Sequence, residues 1–289
     1  MQWWIRRKRR FTTRPLPRRQ LKVLNATQGK VKGFDLAVFQ RSHVVMVGAG
    51  GIGSVVATGL VRKGIGELTL LDDDRVETAN LTRQLFGRHD VGVFKTIALG
   101  RRLAYEGLFK TKVTAIPRRL QEVLERGLTV TNKTVLIGGV DNNASRRAVA
   151  ELAHREGLPA IHAAMGTDGN RLYVFVQEPG AACWGCAFPH YVDDRTYPCG
   201  LPGIIDCLMV VSGIIVYTVD TLISDRRREW NLREISLDGS IAERSKMVAR
   251  NPDCVICGKQ PNPEVLVESG VPADGASQRP GQEERTSEQ

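Results

Sequence analysis

The stretch Val44-Val45-Met46-Val47-Gly48-Ala49-Gly50-Gly51-Ile52-Gly53 decides how the rest of the chain is read. Its apolar run has the length and composition of a parallel strand buried on both faces. The glycines turn the chain into Ser54 to Lys63, whose apolar spacing predicts a helix. A second apolar strand, Leu68-Thr69-Leu70-Leu71, ends in three carboxylates, Asp72, Asp73 and Asp74. This is a βαβ unit with a glycine turn and a later acid, the arrangement that binds nucleotides. The fold it predicts is α/β, a Rossmann-like, doubly wound, mostly parallel sheet.

Each part has a physical role. Gly48 and Gly50 let the backbone turn tightly and approach a phosphate, and Gly53 lets the helix pack against the strand. The first helical turn, with Gly51 in the loop before it, points unpaired N–H groups at the phosphates. A carboxylate at the end of the second strand accepts hydrogen bonds from a ribose. Asp72 is the expected residue, with Asp74 beside it.

The glycine turn alone does not separate a dehydrogenase from other nucleotide enzymes. The residues after the acid do. Asp72 to Gln84 reads D-D-D-R-V-E-T-A-N-L-T-R-Q, and Lys95 follows in G-V-F-K. A hydride-transfer site has little need for an Asn, an Arg and a Lys just past the ribose acid. A triphosphate site does, because charge on phosphate oxygens must be met by preorganised donors.

From about Val44 to Gly258 the sequence resembles the ThiF/MoeB/HesA family, the adenylation domain of ubiquitin-activating-type enzymes. The resemblance is carried by L-T-L-L-D-x-D-x-V-x-x-x-N-L-x-R-Q followed by a lysine. It implies that Asp72 holds the ribose and that Asn80, Arg83, Gln84 and Lys95 hold phosphates. Farther on, Val135-Leu136-Ile137 predicts a strand delivering Gly138-Gly139-Val140-Asp141-Asn142 to the carboxyl end of the sheet, where such folds bind ligands. The family pattern D-N-x-x-x-R falls here. It implies that Asp141 holds Mg²⁺, supported by Asn142 and Arg146. The residues alone also allow Asp141 as a helix N-cap and Arg146 as a helix-surface charge.

At 289 residues, 42% hydrophobic and 25% charged, the chain suits one large α/β domain with appendages. The expected division is a flexible basic arm over residues 1–20, an adenylation domain over 21–259 and a disordered Pro/Gly/Ser/Glu-rich tail over 260–289. No uninterrupted apolar run reaches the roughly 18 residues of a membrane span. Ile204 to Ile223, interrupted by Asp206, Ser212, Gly213 and Asp220, reads as a buried helix. No membrane association is expected, and the location is taken as cytoplasmic. The net charge of +10 leaves nucleic acid open as a partner without favouring it. Arg19 is a weak match to an arginine that reaches the neighbouring subunit's ATP in the family's dimers.

Further elements are expected as helices over Thr96 to Tyr105, Leu120 to Glu125 and Ala148 to Glu156. Strands are expected over Lys112 to Ile116, Pro159 to Ala163 and Leu172 to Val176. His162 falls in an apolar strand and reads as a packing histidine.

Six cysteines include two C-x-x-C pairs, Cys183/Cys186 and Cys254/Cys257. Two such pairs complete a closed four-sulfur zinc site, which is structural because no position is left for water or substrate, with a redox cysteine pair as the rival reading. Cys207, inside the apolar helix, reads as a small hydrophobe. Cys199 lies in a Pro/Gly-rich loop, four residues before Gly203. That offset matches a family cysteine that forms covalent links, and an inert loop thiol is the other reading. The resemblance implies ATP-dependent adenylation of a small ubiquitin-like or sulfur-carrier protein ending in Gly-Gly, by a homodimer. Adenylation of tRNA or a short peptide, and a decayed binding scaffold, are the alternatives.

Overall fold

The strand that opens the glycine turn lies at the middle of the molecule because it can be buried on both faces. In this computed structural model, which describes residues 8–166, 170–191, 203–240 and 242–258, β2 spans His43–Val47. Val44 and Met46 enter the core on one side of the sheet, Val45 and Val47 the core on the other. Alternate side chains of a strand point to opposite faces, so a strand covered twice has no polar face.

Around it lie α3 (Gly51–Lys63), β3 (Glu67–Leu71), α4 (Lys95–Glu106), β4 (Lys112–Ile116), α5 (Leu120–Leu124), β5 (Thr134–Gly138), α6 (Asn143–Glu156) and β6 (Ala160–Met165). Helices α1 (Arg18–Gln28) and α2 (Leu36–Phe39) precede β2, and β1 (Arg9–Thr12) precedes them. Then come β7 (Arg171–Gln177), the single turn α7 (Trp184–Ala187), α8 (Ile205–Ile223), β8 (Leu232–Ser236) and β9 (Arg244–Lys246). The sheet order is β1-β4-β3-β2-β5-β6-β7-β8-β9. Strands β4, β3, β2, β5 and β6 are parallel, and β1, β7, β8 and β9 are antiparallel to their neighbours. The chain runs outward from β2 to β4 and then crosses to β5 on the other side of β2. That reversal is where doubly wound sheets open a ligand crevice.

Two expectations change. The basic arm is ordered from residue 8, because β1 pairs with β4 and α1 starts at Arg18, directly after Pro17. A proline just before or at the first helical turn loses no needed hydrogen bond, so Pro17 can start this helix. The arginines of β1 suit a sheet edge, where charge deters stray pairing. The apolar helix α8 is buried on one face only. Cys207, Val211, Ile215 and Val219 are in the core, whereas Met209, Val210 and Tyr217 are exposed. By length and composition it could cross a membrane, yet half of it is buried within the protein. The tail beyond Gly258 lies outside the described residues.

Candidate functional site

The crevice is assembled by close backbone approach. Gly48 adopts φ +92°, and a Cβ there would lie 2.5 Å from the Gly139 carbonyl oxygen. The loops after β2 and β5 therefore touch main chain to main chain at the switch point, which only glycine allows. A side chain at Gly53 would collide with the Gly48 carbonyl, the helix-on-strand approach expected of the third glycine. At Gly50 the nearest atom to an added Cβ is the Gln84 amide nitrogen at 3.6 Å, and at Gly51 it is the Leu208 side chain. Gln84 is buried beside this turn, and its carbonyl oxygen has no hydrogen-bond partner.

Asp72 ties this turn to the end of β3. One carboxylate oxygen accepts the Ala49 N–H at 2.7 Å, and the other accepts the Asp74 N–H at 2.8 Å. Burial pushes its carboxyl up from the ordinary value, opposed by the Ala49 N–H, the Lys95 charge and the Asp74 N–H. Each oxygen keeps a lone pair for a ribose hydroxyl. Lys95, buried at the start of α4, pairs with the exposed Asp74 carboxylate at 2.8 Å. Asp73 pairs with Arg119 at 2.9 Å, its carboxylate within 4.8 Å of those of Asp72 and Asp74.

The segment between them is a capped single turn of 3-10 helix, Thr78–Asn80. The buried Asn80 accepts the Glu77 N–H at 2.9 Å, so it already supports the backbone. The Arg83 guanidinium folds back onto the Ala79 carbonyl at 2.8 Å. Ser54, in the first turn of α3, accepts the Leu85 N–H at 3.1 Å, and Arg102 donates to the Leu85 carbonyl at 2.6 Å. Those two residues fix where Gln84 sits. Sequence reading missed them because a serine and an arginine in helices carry no motif.

At the end of β5, Asp141 is exposed and accepts from the Asn142 side chain at 3.4 Å. The N-cap of α6 is Asn142, whose side chain accepts the Ser145 N–H at 2.8 Å, and not Asp141. That leaves the Asp141 carboxylate free of capping duty. Arg146 is buried, not a surface charge. It donates to Asn143 at 3.1 Å and lies over the Trp184 ring at 5.7 Å. Arg19 is exposed on α1. Cys199 lies outside the described residues.

The cysteine cluster forms at the antiparallel end of the sheet. Sγ–Sγ distances are 3.8 Å for Cys183–Cys186, 3.4 Å for Cys183–Cys254 and 3.4 Å for Cys186–Cys257. A tetrahedral zinc site with Zn–S bonds of about 2.3 Å spaces its sulfurs by about 3.8 Å, so this donor set is compatible with zinc. The Asn251 N–H donates to Cys186 Sγ at 3.3 Å, as metal thiolates accept. A Cβ at Gly185 would press on Cys254 Sγ at 2.9 Å. Burial pushes the Cys183 thiol up, so packing alone does not favour charged sulfur there. His162 is wholly buried beside Trp184, with ring centroids 5.2 Å apart, and burial lowers its pKa to about 3. It is the packing histidine expected.

Comparison with known proteins places these features in context. Residues 20–256 match the model of the ThiF family. The SAMP-activating enzyme E1 of Haloferax volcanii is 30% identical over 223 residues, covering 75% of this chain and 81% of that protein. The sulfur carrier protein adenylyltransferase of Thermus thermophilus is 29% identical over 245 residues, covering 79% and 87%. The adenylyltransferase and sulfurtransferase MOCS3 of Mus musculus is 30% identical, but the match covers only 48% of it. Among solved structures, E. coli MccB with ATP superposes with a TM-score of 0.64 at 24% identity, covering 77% of this chain and 68% of that one, which shows a shared fold.

Proposed function

We propose, from the premise that the chain belongs to the ThiF family, that it adenylates the C-terminal carboxylate of a small carrier protein, using ATP. One observation carries the reading. The glycine turn, Asp72, Asp74 and Lys95 converge at the switch point of the sheet in a chain similar to activating enzymes of small protein modifiers and sulfur carriers.

The carrier's carboxylate oxygen attacks the α-phosphorus of ATP, forming the acyl–phosphate bond as the bond to pyrophosphate breaks. The chain's part is positioning and charge stabilisation. Gly48, Gly50, Gly51 and Gly53 admit the phosphates against backbone N–H groups. Asp72 fixes the ribose from a carboxylate already immobilised by two N–H donors. Lys95 leaves Asp74 for a phosphate oxygen and takes up the negative charge that builds there. Gln84, Asn80 and Arg83 complete the donor set, with the unpartnered Gln84 oxygen ready to accept. Asp141, with Asn142 beside it, would hold Mg²⁺, which neutralises phosphate charge when bound. The four cysteines would hold zinc as a structural clamp, and their thiol chemistry suits a reducing compartment such as the cytoplasm. The working form is a homodimer. Cys199 receives the activated acyl group or carries sulfur in a later step.

ATP–pyrophosphate exchange, measured with purified small proteins ending in Gly-Gly, tests this. Exchange that needs one such protein and vanishes in Asp141→Ala supports it, and Cys199→Ala retains exchange. Stimulation by tRNA or a short peptide instead of any carrier rejects the carrier. Silence with every substrate, in a folded and metal-loaded protein, marks a scaffold.

A further inference from the structure

A cavity of about 660 Å³ opens at the first edge of the sheet, between β1, α4 and the segment after β4. Its floor is apolar, with Phe11, Ile97 and Pro117, and its rim carries Arg9, Arg75 and Arg101. No carboxylate lines it, and none of the three arginines has a carboxylate partner among the described residues. Three cations around one groove repel each other, and an anionic occupant relieves that repulsion. The groove also has a direction. Because β1 is the outermost strand, one line of its backbone N–H and C=O groups has no strand partner among the described residues. Arg9 and Phe11 alternate toward the cavity, whereas Arg10 and Thr12 face the other side of the sheet.

The wall of this groove is continuous with the crevice. Arg75 follows Asp74 and Phe94 precedes Lys95, and an antiparallel bridge joins Arg75 to Phe94. The Arg75 guanidinium lies 4.1 Å from the Phe94 ring centroid and donates to the Gly92 carbonyl at 2.6 Å. The two segments that line the groove are thus the ones that bring Asp74 and Lys95 together.

We propose that this groove docks an acidic, extended segment of the protein substrate, laid beside β1 with its carboxylates on Arg9, Arg75 and Arg101. The proposal rests on the reading of the crevice as a carrier-adenylating site. A strand edge with an apolar floor recognises peptide backbone and alternate side chains. RNA fits less well. One face of Phe94 is already covered by Arg75, and Phe11 is packed against Gly100, so each ring is partly covered against base stacking.

The test uses the full chain and two labelled probes, a peptide of alternating glutamate and valine and an oligouridylate of equal length, followed by fluorescence anisotropy. The peptide is expected to bind, more weakly as salt rises, and to lose at least about tenfold in affinity in Arg9→Glu/Arg101→Glu. The milder Arg9→Gln/Arg101→Gln variant gives an intermediate loss with an unchanged circular dichroism melt, which separates docking from folding. Absent peptide binding, binding indifferent to these substitutions, or oligouridylate binding in its place overturns the proposal. In pyrophosphate exchange, the charge-reversed variant raises the KM for the carrier and keeps kcat. An unchanged KM rejects docking and leaves adenylation standing. No exchange by the unsubstituted protein with any carrier, while peptide binding persists, rejects the adenylation reading and leaves an acidic-peptide groove.

Discussion

The nucleotide crevice and the cysteine cluster occupy opposite halves of one sheet, and they are held together in different ways. In the crevice several proposed ligand groups also serve the backbone. Asp72 binds the Ala49 and Asp74 N–H groups, Asn80 caps a turn, and Gly48 and Gly53 permit main-chain contact. Its shape is over-determined, and one side chain can go while the turn remains. In the cluster, sulfurs from segments 71 residues apart meet at 3.4 Å, and thiols offer each other only weak hydrogen bonds. That end is held by whatever bonds the four sulfurs at once. Side-chain loss in the crevice should therefore cost chemistry, and loss in the cluster should cost structure.

Opening the cysteine cluster is the largest expected effect. Chelation, or Cys254→Ser, should release one zinc per chain and lower Tm by about 10 °C or more, since structural zinc contributes on the order of 10 kcal/mol. Metal analysis beside a thermal melt checks it, and a metal-free protein with an unshifted melt would erase the contrast drawn above. Lys95→Ala comes next. Pyrophosphate exchange should fall by about 10³-fold, or about 4 kcal/mol, with the melt nearly unchanged. A large drop in Tm instead would mean that Lys95 holds the fold and not the phosphates.

His162 sharpens the comparison from within the packing between the two regions. Its folded pKa, lowered to about 3 from 6.5, keeps it neutral in the native state while the unfolded chain takes up a proton. Its contribution to stability is full above pH 6.5 and is lost as pH falls toward 3. At pH 4 the loss is about 3 kcal/mol, at about 1.4 kcal/mol per unit. Denaturant melts of His162→Phe should lack that part of the acid dependence. The smallest effect concerns Asp72. Burial raises its pKa, so ionisation, and with it ribose binding, should fail at a pH above the ordinary aspartate value of 3.8. Nucleotide affinity should drop a fewfold on acidification in the unsubstituted protein and stay flat in Asp72→Asn, as titration calorimetry would record.

The local parts of this molecule were legible in the residues. Strand β4 and, to within a residue, β5 and α8 followed from apolar spacing, as did the end of α6 but not its start at Asn143, and the glycine turn followed from its motif. Strands β8 and β9 did not. Arg244–Lys246 is exposed throughout, and nothing in Arg-Ser-Lys signals a strand until Leu232–Ser236 lies beside it. The ordered arm was hidden for the same reason, since Arg9–Thr12 is a strand only because β4 supplies its hydrogen bonds. Of the site, the acids and the lysine were visible as a motif. The pairing of Asp74 with Lys95, the role of Asn142 as the helix cap and the burial of Arg146 under Trp184 were not.

The sequence by itself determined what depends on neighbours along the chain. Those are the strand-turn-helix that faces phosphate, the acid that ends the next strand, and the two-residue spacing that aims a pair of thiols. Tertiary structure alone decided which distant segments share a surface. It brought Gly139 onto Gly48, closed four sulfurs into one cluster and set three arginines, none with a carboxylate partner among the described residues, around an apolar groove. Local geometry is fixed by steric limits within a few residues, whereas these contacts exist only once the sheet order has been chosen by burial of the whole core.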